Sequence, residues 1–203
     1  MDSNHWNNIY DKKSEQEVSW FQEVPKKSLE LIASFHLSKD SRIIDIGGGD
    51  SRLAEHLLQQ GFKHLSVLDI STKALQRHRE RLGEKGGNID YIVTNIVDFT
   101  PLVRYHLWHD RATFHFLTTL QDIEKYLAIA SQALDAGGYL IVSTFSKSGP
   151  EKCSGLTISQ YSEDDLKKLF GRYFQNIKCF EDTHQTPWGA KQDFIYCGFK
   201  KLS

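Results

Sequence analysis

Two acidic residues and a short run of glycines are the part of the sequence best suited to hold a ligand. Asp45 is followed closely by Gly47 and Gly49, and Asp69 comes 24 positions after Asp45. Glycines at such a turn let a ligand lie against the backbone, and the free N–H groups of a following helix can donate hydrogen bonds to it. A carboxylate roughly 20 residues further on is well placed to accept hydrogen bonds from ribose hydroxyls. The sequence therefore predicts a nucleotide-type site in which Asp69 binds a ribose.

The elements around these residues have the pattern of strand, turn and helix. Residues 41–46 are rich in β-branched side chains and predict a buried strand, and the leucines of residues 53–58 recur at helical spacing. Residues 65–70 predict a second strand that carries Asp69 at its end. Parallel strands bring their carboxyl ends to one edge of the sheet, so the glycine turn and Asp69 are expected to lie side by side.

The spacing of the glycines separates two classes of cofactor. A dinucleotide fingerprint needs a glycine where this chain has Arg52, which disfavours a nicotinamide-dependent oxidoreductase. The pattern Asp45-x-Gly47-x-Gly49 instead resembles that of class I S-adenosylmethionine-dependent methyltransferases, which commonly have a further glycine where this chain has Ser51. The resemblance implies that the acidic residue lies near the methionine part of S-adenosylmethionine and that the glycines lie near its ribose and amino acid portion.

The third predicted strand, at the start of residues 89–99, leads into the expected adenine end of the site. The family usually has an aspartate where this chain has Asn95, and the carbonyl oxygen of Asn95 could accept the adenine amino group in the same way. The alternative is that Asn95 caps a turn. The residues predicted to contact the cofactor are Trp6, Tyr10, Trp20, Asp45, Gly47, Gly49, Asp69, Ile70, Asn95 and Ile96.

The N-terminal segment, residues 1–40, precedes the first core strand and carries several aromatic side chains. Residues 4–10 and 18–21 resemble the N-terminal signature of methyltransferase-like enzymes, including several protein lysine methyltransferases. Aromatic faces attract a sulfonium cation, so Trp6, Tyr10 and Trp20 are expected to close over the cofactor. The alternative is that they only attach the N-terminal helix to the sheet.

The fourth predicted strand, residues 105–110, carries the candidate catalytic groups His109 and Asp110, and His115 follows shortly after it. Histidine can accept a proton near neutral pH, and Asp110 could orient a histidine or hold a substrate amine. Arg111 could pair with Asp110 or bind a substrate carboxylate. The alternative is a structural Asp–Arg pair with hydrogen-bonded core histidines. This run resembles a group of bacterial methyltransferases.

The remaining pattern predicts an α/β fold in one domain, residues 1–203, made of a helical cap (1–40) and a core (41–203). Helices are predicted at 26–35, 72–82 and 123–134, and a further one begins after Ser162, which with Asp165 has the pattern of a capping box, and ends at residue 170. Later strands are predicted at 139–145, 174–180 and 192–199. The resemblance implies a doubly wound, Rossmann-like, seven-stranded sheet of order 3-2-1-4-5-7-6 with the seventh strand antiparallel. Trp188, between the last two strands, could border the site or anchor the hairpin.

Composition narrows the classes of partner. The 203 residues carry a formal net charge of −1 with both signs interspersed, which disfavours nucleic acid or an anionic membrane as partner. Cys153, Cys179 and Cys197 have no zinc or redox spacing and predict reduced thiols, a cytoplasmic location and no metal site.

The sequence therefore predicts a methyltransferase that uses S-adenosylmethionine and releases S-adenosylhomocysteine. A small-molecule nucleophile is favoured as the methyl acceptor, because aromatic closure and histidines at a strand tip suit a small guest. A protein lysine is the alternative acceptor, and a noncatalytic S-adenosylmethionine-binding module is a second alternative. The pattern leaves the oligomeric state open.

Overall fold

A single twisted sheet of seven strands organises the protein. The computed structural model describes residues 2–202. Its strands run in the order β3-β2-β1-β4-β5-β9-β8, in which β1 to β5 are parallel to one another and β9 is antiparallel to β5. This confirms the predicted order and the reversed strand. The strands of the sheet are β1 (Arg42–Ile46), β2 (His64–Asp69), β3 (Ile89–Val93), β4 (Tyr105–Arg111), β5 (Leu134–Phe145), β8 (Phe174–Gln185) and β9 (Lys191–Lys201).

Helices cover both faces of the sheet, as expected for a doubly wound fold. They are α1 (Ser3–Lys12), α2 (Lys26–Ser34), α3 (Leu53–Gln59), α4 (Thr72–Leu82), α5 (Leu120–Ala133) and α6 (Glu163–Phe170). Ile44 and Ile46 of β1 pack in one buried cluster with side chains of α5 and α6, whereas Ile43 packs in a second with side chains of α2, α3 and α4. Among residues 2–202, no helix is both long and apolar enough to cross a membrane.

Several boundaries differ from those predicted, and three of the differences lie in the second half of the chain. The predicted turn at 135–138 lies inside β5, which begins at Leu134 beside Tyr105, and the β4–β5 register shifts between Tyr105 and Leu107. The last two strands are longer than predicted, because β8 and β9 stay paired up to Gln185 and Lys191. The predicted loop 146–155 contains part of a small hairpin, β6 (Lys152–Cys153) with β7 (Leu156–Thr157).

The prediction of three reduced thiols is wrong for two of the cysteines. Cys179 and Cys197 face each other across β8 and β9 and form a disulfide bond, whereas Cys153 is free and buried. The two partners are 18 positions apart in the sequence, and only the register of the hairpin brings them together. The cytoplasmic prediction loses the support it took from the cysteines, since disulfides are rare in reducing compartments.

A buried chain of hydrogen bonds joins β4 to α5. The indole Nε1–H of Trp108 donates to the hydroxyl oxygen of Tyr126 (2.9 Å), and this hydroxyl donates to Asp110 Oδ2 (2.8 Å). The other oxygen of Asp110 accepts from the backbone N–H groups of Thr113 (3.0 Å) and Phe114 (3.2 Å). Asp110 therefore fixes the turn that follows β4.

Replacing Tyr126 by phenylalanine should lower the free energy of unfolding by about 1–3 kcal/mol, because a buried donor and a buried acceptor each lose their partner. Chemical denaturation measures the change. Tyr139→Phe is the matched control, since Tyr139 stacks on Phe35 at 4.3 Å and its hydroxyl makes no hydrogen bond within residues 2–202. Equal losses of stability in Tyr126→Phe and Tyr139→Phe would contradict the structural role of the hydrogen bonds that Tyr126 makes.

Candidate active site

A cleft opens at the carboxyl ends of β1, β2 and β4 and contains two adjoining cavities. The aromatic cavity is lined by residues that include Trp6, Tyr10, Asp69, Ile70, Ile96 and Phe116. The glycine-loop cavity is lined by residues that include Ser28, Asp45, Gly48, Ser51 and His109. Trp20, Gly47 and Arg111 line both cavities. Most of the predicted site residues are thus brought to one edge of the sheet.

Asp69 is the buried carboxylate of the aromatic cavity. Its Oδ1 accepts the backbone N–H of Ser71 (2.7 Å), and its carboxylate also accepts the backbone N–H of Gly49. Burial, with smaller contributions from the nearby carboxyls of Asp50 and Asp45, nevertheless raises the pKa of Asp69 to about 7. A ligand that donates hydrogen bonds to Asp69 would stabilise its charged form.

Gly47 and Gly49 have backbone conformations that other residues rarely adopt, with φ of +61° and +51°. A Cβ atom on Gly47 would lie 1.7 Å from Oγ1 of Thr113, and one on Gly49 would lie 2.5 Å from the hydroxyl of Tyr10. The glycines are therefore required both by the turn and by the side chains packed on it.

The predicted aromatic cap lies over the cleft. The ring of Trp6 makes edge contacts with Trp20 (5.9 Å between centroids) and Phe116 (5.1 Å), and Tyr10 contacts Trp20 at 6.2 Å. Only 9% of Trp6 and 7% of Tyr10 are exposed. The cap aromatics consequently pack on one another as well as on the cavity, so both sequence-based readings of them describe part of the geometry.

Arginines tie the cap to the glycine turn. Arg77 of α4 donates to the backbone carbonyl of Tyr10 (3.0 Å) and pairs with Asp50 (2.9 Å). Arg52 pairs with Glu15 (2.5 Å) and Glu23 (3.1 Å) of the N-terminal segment. Arg52, which stands where the dinucleotide fingerprint has a glycine, therefore attaches the cap to the glycine turn.

His109 lies in a buried hydrogen-bonded chain between Asp45 and Ser28. Its Nδ1 is 2.7 Å from Asp45 Oδ1, and its Nε2 is 2.8 Å from the hydroxyl of Ser28 on α2. With a neutral ring, Nδ1–H donates to the carboxylate and Nε2 accepts from the serine, so both ring nitrogens are engaged. The chain fastens α2 to β1 and β4, and Ser28 is a member of it that the sequence did not indicate.

The other predicted site residues lie outside the lining of both cavities. Asp110 faces Tyr126 and not Arg111, so the predicted Asp110–Arg111 pair is not formed. His115 is fully buried against Phe145, and burial lowers its pKa to about 3. Asn95 uses Oδ1 to accept the backbone N–H of Val97 (3.4 Å), as in the turn-capping alternative.

Thr113 is a residue of the site that the sequence did not indicate. Thr113, which lines the aromatic cavity, donates its hydroxyl to the carbonyl of Ile46 (3.2 Å). Trp188 is 59% exposed and lines neither cavity. Within residues 2–202, no group of three or more His, Cys, Asp or Glu side chains is arranged to hold a metal ion.

Comparison with known proteins relates part of the chain to one family. Residues 44–140, which include the glycine turn and Asp69, match the family described as Methyltransferase domain. This stretch, just under half of the chain, is therefore similar to a methyltransferase domain. Over its whole length the chain also superimposes on the N-methyltransferase NodS from Bradyrhizobium japonicum, which was solved in complex with S-adenosylhomocysteine, with a TM-score of 0.74. At 15% identity, with 100% of both chains covered, this match shows a shared fold.

Two curated relatives of the methyltransferase domain differ in the substrates that their names give. Malonyl-[acyl-carrier protein] O-methyltransferase 2 of Ilyobacter polytropus is 28% identical over 75% of this chain. The eEF1A lysine and N-terminal methyltransferase of Mus musculus is 22% identical over 70% of this chain. The chain spans 62% of the length of the first relative and 21% of the second.

Replacing Ser28 by alanine should lower the free energy of unfolding by about 1–3 kcal/mol, because buried Nε2 of His109 loses its donor. Ser34→Ala is the control on the same helix, since Ser34 is exposed and its hydroxyl bonds only the carbonyl of Leu31 (2.7 Å). The control should change stability by less than about 0.5 kcal/mol. Denaturant titration of both variants measures the change. An unchanged free energy of unfolding in Ser28→Ala would contradict the anchoring role of the hydrogen bonds that join Asp45, His109 and Ser28.

The affinity of the methyltransferase domain for S-adenosylhomocysteine should fall as the pH is lowered from about 8 to about 6. Ionised Asp69 accepts ribose hydroxyls better than neutral Asp69, and a pKa of about 7 places the loss of charge inside this range. Isothermal titration calorimetry measures the dissociation constant. Asp69→Asn, which cannot ionise, should bind more weakly at the higher pH and show a nearly flat profile. A flat profile in the unaltered protein would contradict this role of Asp69.

Proposed function

We propose that this protein transfers a methyl group from S-adenosylmethionine to a small-molecule nucleophile. The observation that carries the proposal is the position of Asp69, a buried carboxylate in the wall of a cavity that an aromatic cap covers. The methyltransferase domain match supports the reaction type. The closed geometry of the cleft supports the choice of acceptor.

The residues of the aromatic cavity fit a nucleoside. Asp69 offers two carboxylate oxygens to vicinal ribose hydroxyls, and it lies beside the glycine turn at Gly47. Leu68, Ile70 and Ile96 add apolar walls suited to an adenine ring. When bound, S-adenosylmethionine supplies an electrophilic methyl group on a sulfonium. The aromatic rings of the cap exclude water and present faces that attract a cation.

The cap favours a small acceptor over a protein side chain. Trp6, Trp20 and Phe116 are packed edge to face over the aromatic cavity, and the cap is tied down by Arg52 and Arg77. A lysine of a protein surface would need an open channel through this layer. A small molecule needs only the space enclosed beneath it.

Among the candidate catalytic residues, His109 is the one that lines a cavity. Asp45 orients the imidazole through Nδ1, and Nε2 lies against the hydroxyl of Ser28, so His109 would act on an acceptor through Ser28. Asp110 and His115 are still only predictions from the sequence, and neither of them lines a cavity. Asp110 would affect the cleft through its hydrogen bond to the backbone N–H of Thr113.

Methyl transfer is tested with isotope-labelled S-adenosylmethionine and a cell extract separated into a protein fraction and a small-molecule fraction. Label should appear in the small-molecule fraction, and the Asp69→Asn variant should lower the transfer by about 10-fold or more, since a charge-assisted hydrogen bond is lost. Label confined to the protein fraction would contradict the small-molecule acceptor and favour a protein lysine. Cofactor binding without transfer to either fraction would indicate a noncatalytic binding module.

A further inference from the structure

Arg111 is a cation in the cleft that has no counter-charge among residues 2–202. Its guanidinium lines both cavities at the end of β4. Nε donates to the hydroxyl of Tyr196 (3.1 Å), Nη1 donates to the backbone carbonyl of Trp20 (2.9 Å), and Nη2 is buried with no acceptor among residues 2–202. The ring of Phe194 lies 5.0 Å from the central carbon of the guanidinium. The side chain is thus held in place by neutral groups.

The other arginines near the glycine turn differ from Arg111 in this respect. Arg52 has two carboxylate partners, Arg77 pairs with Asp50, and Arg81 pairs with Glu55 (2.5 Å). A guanidinium taken out of water costs free energy unless an anion compensates it. In the described part of the chain no carboxylate pairs with Arg111, and an anionic ligand would supply the missing partner.

Three titratable groups that feel the charge of Arg111 carry no charge near neutral pH. Burial, with a contribution from the charge of Arg111, lowers the pKa of His115 to about 3 and that of His184 to about 4. Burial raises the pKa of Cys153, on the wall of the aromatic cavity, to about 11. These three groups therefore leave the charge of Arg111 uncompensated, whereas the carboxylates of Asp45 and Asp69 lie at the ends of β1 and β2.

We propose that Arg111 binds a carboxylate or similar anionic group of the methyl acceptor, so that the acceptor is a small organic anion. The inference rests on the proposed function and specifies its substrate class. Sheet order supports the assignment, because β2 with Asp69 lies on one side of β1 and β4 with Arg111 lies on the other. A nucleoside at Asp69 leaves the β4 side, with Phe116 and Cys153, for the acceptor. The bonds to Tyr196 and Trp20 engage Nε and Nη1, so Nη2 is the guanidinium nitrogen left to donate to the anion.

The carboxylate of the cofactor itself is the other source of such an anion, and calorimetry distinguishes the two. S-adenosylhomocysteine carries an amino acid carboxylate, and 5′-methylthioadenosine lacks it. Arg111→Gln should bind both compounds within about twofold of the unaltered protein. A loss of about 10-fold or more for S-adenosylhomocysteine, with 5′-methylthioadenosine unaffected, would assign the anion to the cofactor and overturn the proposal.

The acceptor is tested by separating the small-molecule fraction on an anion exchanger. Methyl label should enter the retained fraction, and Arg111→Gln should raise the KM for that fraction by about 10- to 100-fold, as expected for the loss of a charge-assisted hydrogen bond. Arg111→Lys keeps the charge but loses the planar guanidinium, so its KM should lie between that of the unaltered protein and that of Arg111→Gln. Arg172→Gln is the control, because Arg172 is exposed next to Tyr173. Transfer only to the unretained fraction, or an unchanged KM in Arg111→Gln, would overturn the proposal.

Failure of the proposed function gives a different result. If the unaltered protein transfers no label to any fraction, the methyl-transfer reaction is contradicted and the anion site is tested by binding alone. Benzoate and inorganic phosphate are then titrated into the complex with S-adenosylhomocysteine. Binding that is lost in Arg111→Gln would support an anion site, and equal binding or no binding in both proteins would overturn it.

Discussion

The burial of the Asp69 carboxylate at the end of β2 is the constraint on which the cleft depends. Desolvation disfavours its charge, and the N–H groups of Ser71 and Gly49 offset only part of that cost, so its pKa stays near 7. Gly49 has to be glycine because Tyr10 covers it. The carboxylate, the glycine turn and the cap therefore form one unit, and none of the three can change without disturbing the others.

Charge is distributed unevenly around this unit. The cap is fastened by arginines whose carboxylate partners lie in the N-terminal segment or the glycine turn, as with Arg52 and Glu15 or Arg77 and Asp50. Among residues 2–202 Arg111 has no such partner, and its hydrogen bonds to neutral groups leave its charge unpaired. The cleft thus combines an acidic side suited to hydroxyl donors with a basic side suited to an anion.

The sequence predicts the features that short segments encode by themselves. The strand order, the position of Asp69 beside the glycine turn and the capping box at Ser162 follow from local patterns and the family resemblance. Contacts that depend on tertiary packing were not predictable. His109 and Ser28 are 81 positions apart, and Asp110 turns toward Tyr126 rather than toward its neighbour Arg111. The disulfide bond was missed for the same reason, because the register of β8 and β9 is set by packing and not by cysteine spacing.

A crystal structure with S-adenosylhomocysteine tests the central claim most directly, namely that the cleft at Asp69 holds the cofactor. The ribose hydroxyls should lie within hydrogen-bond distance of the Asp69 carboxylate, with the adenine against Ile70 and Ile96 and with Trp20 over the sulfur end. The ligand bound elsewhere, or a ribose turned away from Asp69, would contradict this account of the site.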